Sequence, residues 1–226
     1  MATRRKVNNL MALAILAQLS TGQPMHPYEI ATMLKRTGKE RDMNIKWGSL
    51  YTVVGNLEKN GFIEAAEPSR AGRRPERTPY TITDAGRAEM RDWLSELVAK
   101  PEPEFPRFEA ALSVLSVLAP DDVIPLLRQR LAALDASITA DRAMLAASTW
   151  LPRLFLIESE YALAMQEAEA AWVRSLLTEM TEGTLDGIDG WRLYHETGEL
   201  PADFAQMMAE GGPTDDEPTE GGPSPS

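Results

Sequence analysis

A mainly α-helical chain with one small β-hairpin is predicted by three observations. Apolar residues recur at helical spacing in several separate segments. Two short apolar runs, FIEAA and TPYTI, flank a Pro-, Gly- and Arg-rich stretch that cannot be strand. The second half of the chain is acidic, helical in pattern and rich in Trp and Met.

The first helix is expected from about Asn9 to Leu19. Leu10, Leu13, Ala14 and Ala17 lie on one face, with Ile15, Leu16 and Leu19 thickening it, so the helix should be almost fully buried. STGQP ends it. Pro27 suits the first turn of a second helix, where its missing N–H costs nothing. Ile30, Met33 and Leu34 form the inward stripe of that helix, and Gly38 lies just past its end. A third helix should start near Lys46–Ser49 and end at Asn60, with Leu50, Val53, Val54 and Leu57 inward and Gly61 as a left-handed cap. After the two strands, Thr83 should cap a fourth helix whose apolar face holds Met90, Trp93, Leu94, Leu97 and Val98. Helix, helix, helix, hairpin is the order of a winged helix-turn-helix with a small β-hairpin wing.

KPEPEFP, from Lys100, breaks the pattern and marks a domain boundary. A capped helix should begin at Pro120–Asp121. A long helix should run from about Pro152 to Glu182, with Phe155, Tyr161, Met165, Ala168, Trp172, Leu176 and Met180 near heptad spacing. That helix is too long and too apolar to be buried by its own small domain, so a second subunit should cover it. The expected division is 1–99 for the winged module including the fourth helix and 100–119 for the linker and start of the second domain. An all-helical dimerisation and effector domain follows at 120–210, then a disordered acidic tail at 211–226.

Composition sharpens this division. The net charge is −11, yet residues 1–100 carry 16 Lys+Arg against 11 Asp+Glu, and residues 101–226 carry 7 against 23. A basic first half joined to an acidic second half suits a module that touches nucleic acid and a portion that stays off it. No cysteine is present, which excludes disulfides and thiolate metal sites and suits a cytoplasmic location. TRRK followed by LMALAILA superficially resembles a signal peptide, but the apolar run is only eight residues and no convincing cleavage site follows, so export is not expected.

On the third helix, Ser49, Tyr51, Thr52 and Asn56 avoid the inward stripe, and Lys46 stands at its start. Short hydroxyls and amides there suit base edges and phosphates, and the helix dipole attracts phosphate. In isolation such a face would be a solvated surface; within this order of elements it is expected to contact DNA. Arg70, Arg73, Arg74 and Arg77 fall within eight residues at the hairpin tip, opposed there only by Glu76. Arginines so placed clamp phosphates or enter a narrow minor groove.

The chain resembles the PadR family of bacterial transcriptional regulators. The resemblance rests on His26, Tyr28, Glu29 and Ile30; on Gly48, Ser49, Leu50 and Tyr51; on Leu57, Glu58, Gly61 and Ile63; on Arg73 and Arg74; and on Tyr80, Thr83 and Gly86. It covers roughly residues 8–100, and EAEAAWVRSLL in the second half is similar to the larger subgroup with a helical C-terminal domain. Pro27 stands where the family often has Gly, Thr52 where it usually has Pro, and RRPERTPY replaces a more uniformly basic wing. The resemblance implies a homodimeric, ligand-responsive repressor that binds an inverted-repeat DNA operator, adds Tyr28 to the DNA-contacting set, and implies release by an aromatic or cationic small molecule. Trp93, Met165, Glu169 and Trp172 are candidates for that ligand, although Trp and Met at helical spacing more usually belong to a core or dimer seam.

Nothing in the sequence points to catalysis, a cofactor or a metal. The only histidines, His26 and His195, fall in different predicted domains, and no phosphate-binding or dinucleotide fingerprint occurs. The alternatives to a DNA-binding regulator are a winged-helix protein-interaction scaffold, which the arginine-rich wing disfavours, and an enzyme with an appended winged helix.

Overall fold

The computed structural model describes residues 5–43, 45–66 and 78–199. The chain divides into two compact units, Met1–Glu104 and Phe105–Ser226.

The first unit begins with α1 (Leu10–Leu19), capped by the Asn9 side chain, which accepts a hydrogen bond from the Met11 amide at 2.9 Å. Residues 11–16 are all buried, while Leu10 and Ala17, expected inside, are exposed at the edges of the packed face. Helix α2 (Pro27–Arg36) starts at His26, whose backbone N–H donates to Glu29 Oε2 at 2.8 Å. One extra turn, α3 (Lys39–Asp42), and a 3₁₀ turn at Trp47–Ser49 lead into α4 (Leu50–Lys59). Leu50, Val53, Val54 and Leu57 are buried, as their spacing dictates. Gly61, at φ 73°, closes α4: its amide reaches the Glu58 carbonyl at 2.8 Å, and the Phe62 amide reaches that of Leu57 at 3.0 Å.

Strands β1 (Ile63–Ala65) and β2 (Tyr80–Ile82) pair antiparallel, Ile63 opposite Ile82. Met25 adds an isolated bridge to Tyr80, a third pairing that a single residue cannot announce in sequence. Helix α5 (Asp84–Ala99) is capped by Thr83, as expected, with the Gly86 amide donating to Thr83 Oγ1 at 3.0 Å. Only Trp93 of its predicted apolar face is fully buried. Met90 is half-buried, and Leu94, Leu97 and Val98 are exposed.

The second unit contains α6 (Arg107–Leu112), α7 (Pro120–Ala147), α8 (Ile157–Glu182) and α9 (Ile188–Thr197). Helix α7 begins where the sequence placed it, but its N-cap is Ala119, with no side-chain cap; Asp121 and Asp122 in the first turn favour the helix dipole instead. Helices α7 and α8 form an antiparallel hairpin, tied by Arg174 to Asp135 at 3.0 Å and Gln166 to Asp141 at 3.0 Å. The long helix expected from Pro152 is interrupted: Arg153–Phe155 form a 3₁₀ turn, and regular α-helix starts at Ile157. A small core joins Val123 and Leu127 of α7 to Val173, Leu177 and Met180 of α8 and Ile188 of α9. Trp191 Nε1 donates to the Leu118 carbonyl at 2.9 Å and pins α9.

Within its own chain α8 buries one stripe and leaves open most of the stripe expected to meet a second subunit. Ala170, Val173, Leu177 and Met180 face inward, while Phe155 ahead of the helix and Tyr161, Met165, Ala168 and Trp172 on it remain exposed. The helix carries two apolar stripes, and only one is covered within its own chain. Residues 200–226, which include the end of the expected 120–210 domain and the tail 211–226, lie outside the described residues.

Candidate nucleic-acid interface

Burial of Leu50, Val53, Val54 and Leu57 forces the opposite face of α4 outward. Tyr51, Thr52, Gly55, Asn56 and Lys59 are all exposed, Tyr51 to 69%. The side-chain polar atoms of Tyr51, Thr52 and Asn56 make no hydrogen bond among the described residues, so they are available to a partner. Lys46 is exposed just ahead of the helix. Ser49 is half-buried, and its hydroxyl donates to the Lys46 carbonyl at 2.9 Å, so it shapes the turn as well as facing outward.

Tyr28 projects from the first turn of α2 and is exposed. It lines an open cleft of about 530 Å³ together with Gln18, Gln23, Thr32 and Arg36. Lys35 in the last turn of α2 places its Nζ 4.9 Å from the centre of the Trp47 ring, which brings a cation beside the turn that opens α4. Sequence reasoning had not singled out Lys35, Arg36 or Lys59; their positions in the last turns of α2 and α4 were the available signal. Arg70, Arg73, Arg74 and Arg77 lie outside the described residues.

Several motif residues turn out to hold the frame rather than face outward. Tyr80 Oη donates to Glu58 Oε2 at 3.3 Å, linking β2 to the last turn of α4. Burial, and then the neighbouring Glu58 charge and hydrogen bond, push the Tyr80 phenol above its ordinary pKa. Thr83 Oγ1 donates to the Gly61 carbonyl at 2.7 Å, so the cap of α5 also grips the end of α4. At the far side of α5, Arg5 reaches Glu89 and Asp92 at 2.9 Å and Glu96 at 2.5 Å, with its guanidinium 5.6 Å from the Trp93 ring centre. Burial opposes the Arg5 charge, but hydrogen bonds to Glu96, Glu89 and Asp92 prevail and hold its pKa above the usual value. Hydrogen bonds from Arg5 and Lys100 correspondingly hold Glu96 below the usual carboxylate range.

The four candidate ligand residues do not share one environment. Trp93 is 5% exposed and belongs to the core of the first unit. Met165, Glu169 and Trp172 lie along α8 in the second unit, Met165 at 53% and Trp172 at 49% exposure. There Phe108 meets Trp172 edge to face with ring centres 6.1 Å apart. Arg130 stacks 3.6 Å over the Phe108 ring and donates from Nε to Glu169 Oε1 at 2.6 Å. Phe108 and Arg130 were invisible in sequence because they come from separate helices, far from α8 along the chain. Among the described residues no group of acidic, His or Cys side chains is arranged to hold a metal ion, and no helix is long and apolar enough to cross a membrane.

The first unit is thus a winged helix-turn-helix, with the polar face of α4 turned outward. Residues 15–92 match the transcriptional regulator PadR-like family, so that stretch is a PadR-like domain. Solved structures agree on the fold. Bacillus subtilis PadR in complex with operator DNA gives a TM-score of 0.60 at 23% identity, covering 76% of this chain and 99% of that one. The same protein in complex with p-coumaric acid gives 0.60 at 22% identity, with the same coverage. The Vibrio cholerae virulence activator AphA gives 0.57 at 18% identity, covering 76% of this chain and 98% of that one. No curated protein matches the chain by sequence.

Proposed function

We propose that this protein is a cytoplasmic homodimeric repressor that binds an inverted-repeat operator in double-stranded DNA and is released by a small-molecule effector. The observation that carries the reading is the outward face of α4 in a PadR-like domain, where Tyr51, Thr52 and Asn56 stand exposed and unpartnered beside Lys46 and Lys59. Lys46, Tyr28 and the wing residues Arg70, Arg73, Arg74 and Arg77 contact phosphates, while Thr52 and Asn56, with Ser49 and Tyr51, read base edges. A dimer making ~6–10 phosphate contacts loses about 10³–10⁵ in affinity between 50 and 200 mM salt. A fluorescence titration of the full chain with duplex DNA measures this, and a flat salt dependence sinks the reading.

The exposed stripe of α8 supports the dimer, since a second copy would cover Met165 and Trp172. The effector reading is supported by the open face of Trp172 and by the B. subtilis PadR complex with p-coumaric acid. Glu169 is already paired with Arg130, so the effector is better matched as an aromatic than as a cation. Trp93, deep in its own core, serves packing, and the ligand contacts fall to Met165 and Trp172. Titration of Trp fluorescence with aromatic acids and with aromatic amines separates the two chemistries.

A further inference from the structure

Gly55 occupies the sixth of the ten positions of α4, in the middle of the exposed face. A glycine inside a helix normally has a structural reason, because it weakens the helix relative to alanine. Six described glycines sit at positive φ, where other residues are strained, and Gly86 is required by contact with Phe62. Gly55 has neither reason: its φ is not positive, and a Cβ built there meets nothing within 4 Å. The cost to the helix therefore has no return among the described residues.

We propose that Gly55 is a specificity-determining residue that lets α4 sit deep in the major groove. The inference rests on the DNA-binding reading above and adds to it a geometric requirement. Thr52 and Asn56, which form the row next to Gly55 on the outward face, are short side chains. They reach base edges only if the helix backbone comes close to the floor of the groove. A side chain at position 55 would stand beside that row on the outward face and hold the helix off. The bare backbone at Gly55 is a close-approach surface beside the residues that read sequence, and Tyr51 and Lys59, one turn to either side of it, bracket it with longer side chains.

The test uses the full chain and two duplexes of equal length, one selected by the unaltered protein from a randomised pool and one of random sequence. Gly55→Ala should raise the unfolding midpoint by a few degrees, about 4–8 °C for a unit of this size. It should also lower the ratio of selected to random affinity by about tenfold, as loss of one base contact does. Gly55→Arg should abolish the ratio while keeping or raising affinity for random DNA through its added charge. A Gly55→Ala protein that is stabilised but keeps its ratio overturns the proposal while leaving DNA binding intact. One that is destabilised overturns it as well, because the position would then be packed. If the unaltered chain shows no salt-dependent duplex binding, the DNA reading fails first and this inference with it.

Discussion

A methyl group on Gly86 would lie 2.0 Å from the carbonyl oxygen of Phe62. Backbone meets backbone there, so no flexible side chain can yield. The contact exists because Thr83 ties the start of α5 to the Gly61 and Phe62 carbonyls that end α4, at 2.7 and 3.1 Å. Gly86→Ala must push α5 away and drag Trp93 from the core. Overpacking of this kind costs about 1–3 kcal/mol, and a rigid backbone contact belongs at the upper end. Urea unfolding should show a loss near 3 kcal/mol; a change under about 0.5 kcal/mol, the level of an ordinary surface substitution, would mean that the two segments part easily.

Arg5 sits among three carboxylates spaced along one face of α5. Arg5→Ala leaves Glu89, Asp92 and Glu96 as like charges at i, i+3 and i+7, successive neighbours three and four residues apart, which destabilises the helix. Glu96 is held below its ordinary pKa, so its contribution is fully present above the usual carboxylate value and is lost as pH falls through the folded value. The stability gap between the parent and Arg5→Ala should therefore be widest near neutral pH and close as pH falls below the ordinary carboxylate range. A gap that stays constant across that range assigns Arg5 to packing on Trp93 instead.

Reading and positioning should separate on the DNA side. Arg73→Ala or Arg74→Ala should weaken selected and random duplexes alike, because phosphates carry no sequence. Asn56→Ala should cost the selected duplex alone about 1–3 kcal/mol. Ser49→Ala is a less clean probe, since its hydroxyl also holds the Lys46 turn. Selective loss of the selected duplex in Arg74→Ala would show that the wing reads groove width or bases.

Where local chemistry decides the outcome, the sequence was legible. Pro27, Thr83 and Gly61 placed helix ends because their effects act within a few residues. The inward stripe of α4 was readable for the same reason, and with it the outward residues Tyr51, Thr52 and Asn56. On α8 the stripe expected to meet a second subunit is the one left exposed, but the stripe that packs within the chain was not told apart from it. Both 161–165–168–172 and 170–173–177–180 are apolar at helical spacing, and periodicity does not say which one meets α7. The Phe108–Arg130–Glu169–Trp172 cluster depends on packing between helices that no local pattern encodes. The Met25–Tyr80 bridge was missed because a single paired residue has no period at all.

The uncovered stripe of α8 yields the last expectation. Trp172 is half-exposed and touches Phe108, yet the core of its unit is built from Val123, Leu127, Val173, Leu177, Met180 and Ile188 without it. Trp172→Ala should thus leave the isolated chain folded, with unchanged far-UV circular dichroism. If a second copy covers the stripe, the same truncation removes a buried aromatic anchor, worth about 2 kcal/mol or more. A two-fold interface counts that loss twice, which is enough to shift the dimerisation constant about a thousandfold. Sedimentation of Trp172→Ala should show monomer at concentrations where the parent is dimeric, with operator affinity weakened in step. A variant that stays fully dimeric takes Trp172 out of the seam. Its exposed ring is then better explained as a ligand face, and quenching of its fluorescence by aromatic acids becomes the deciding measurement.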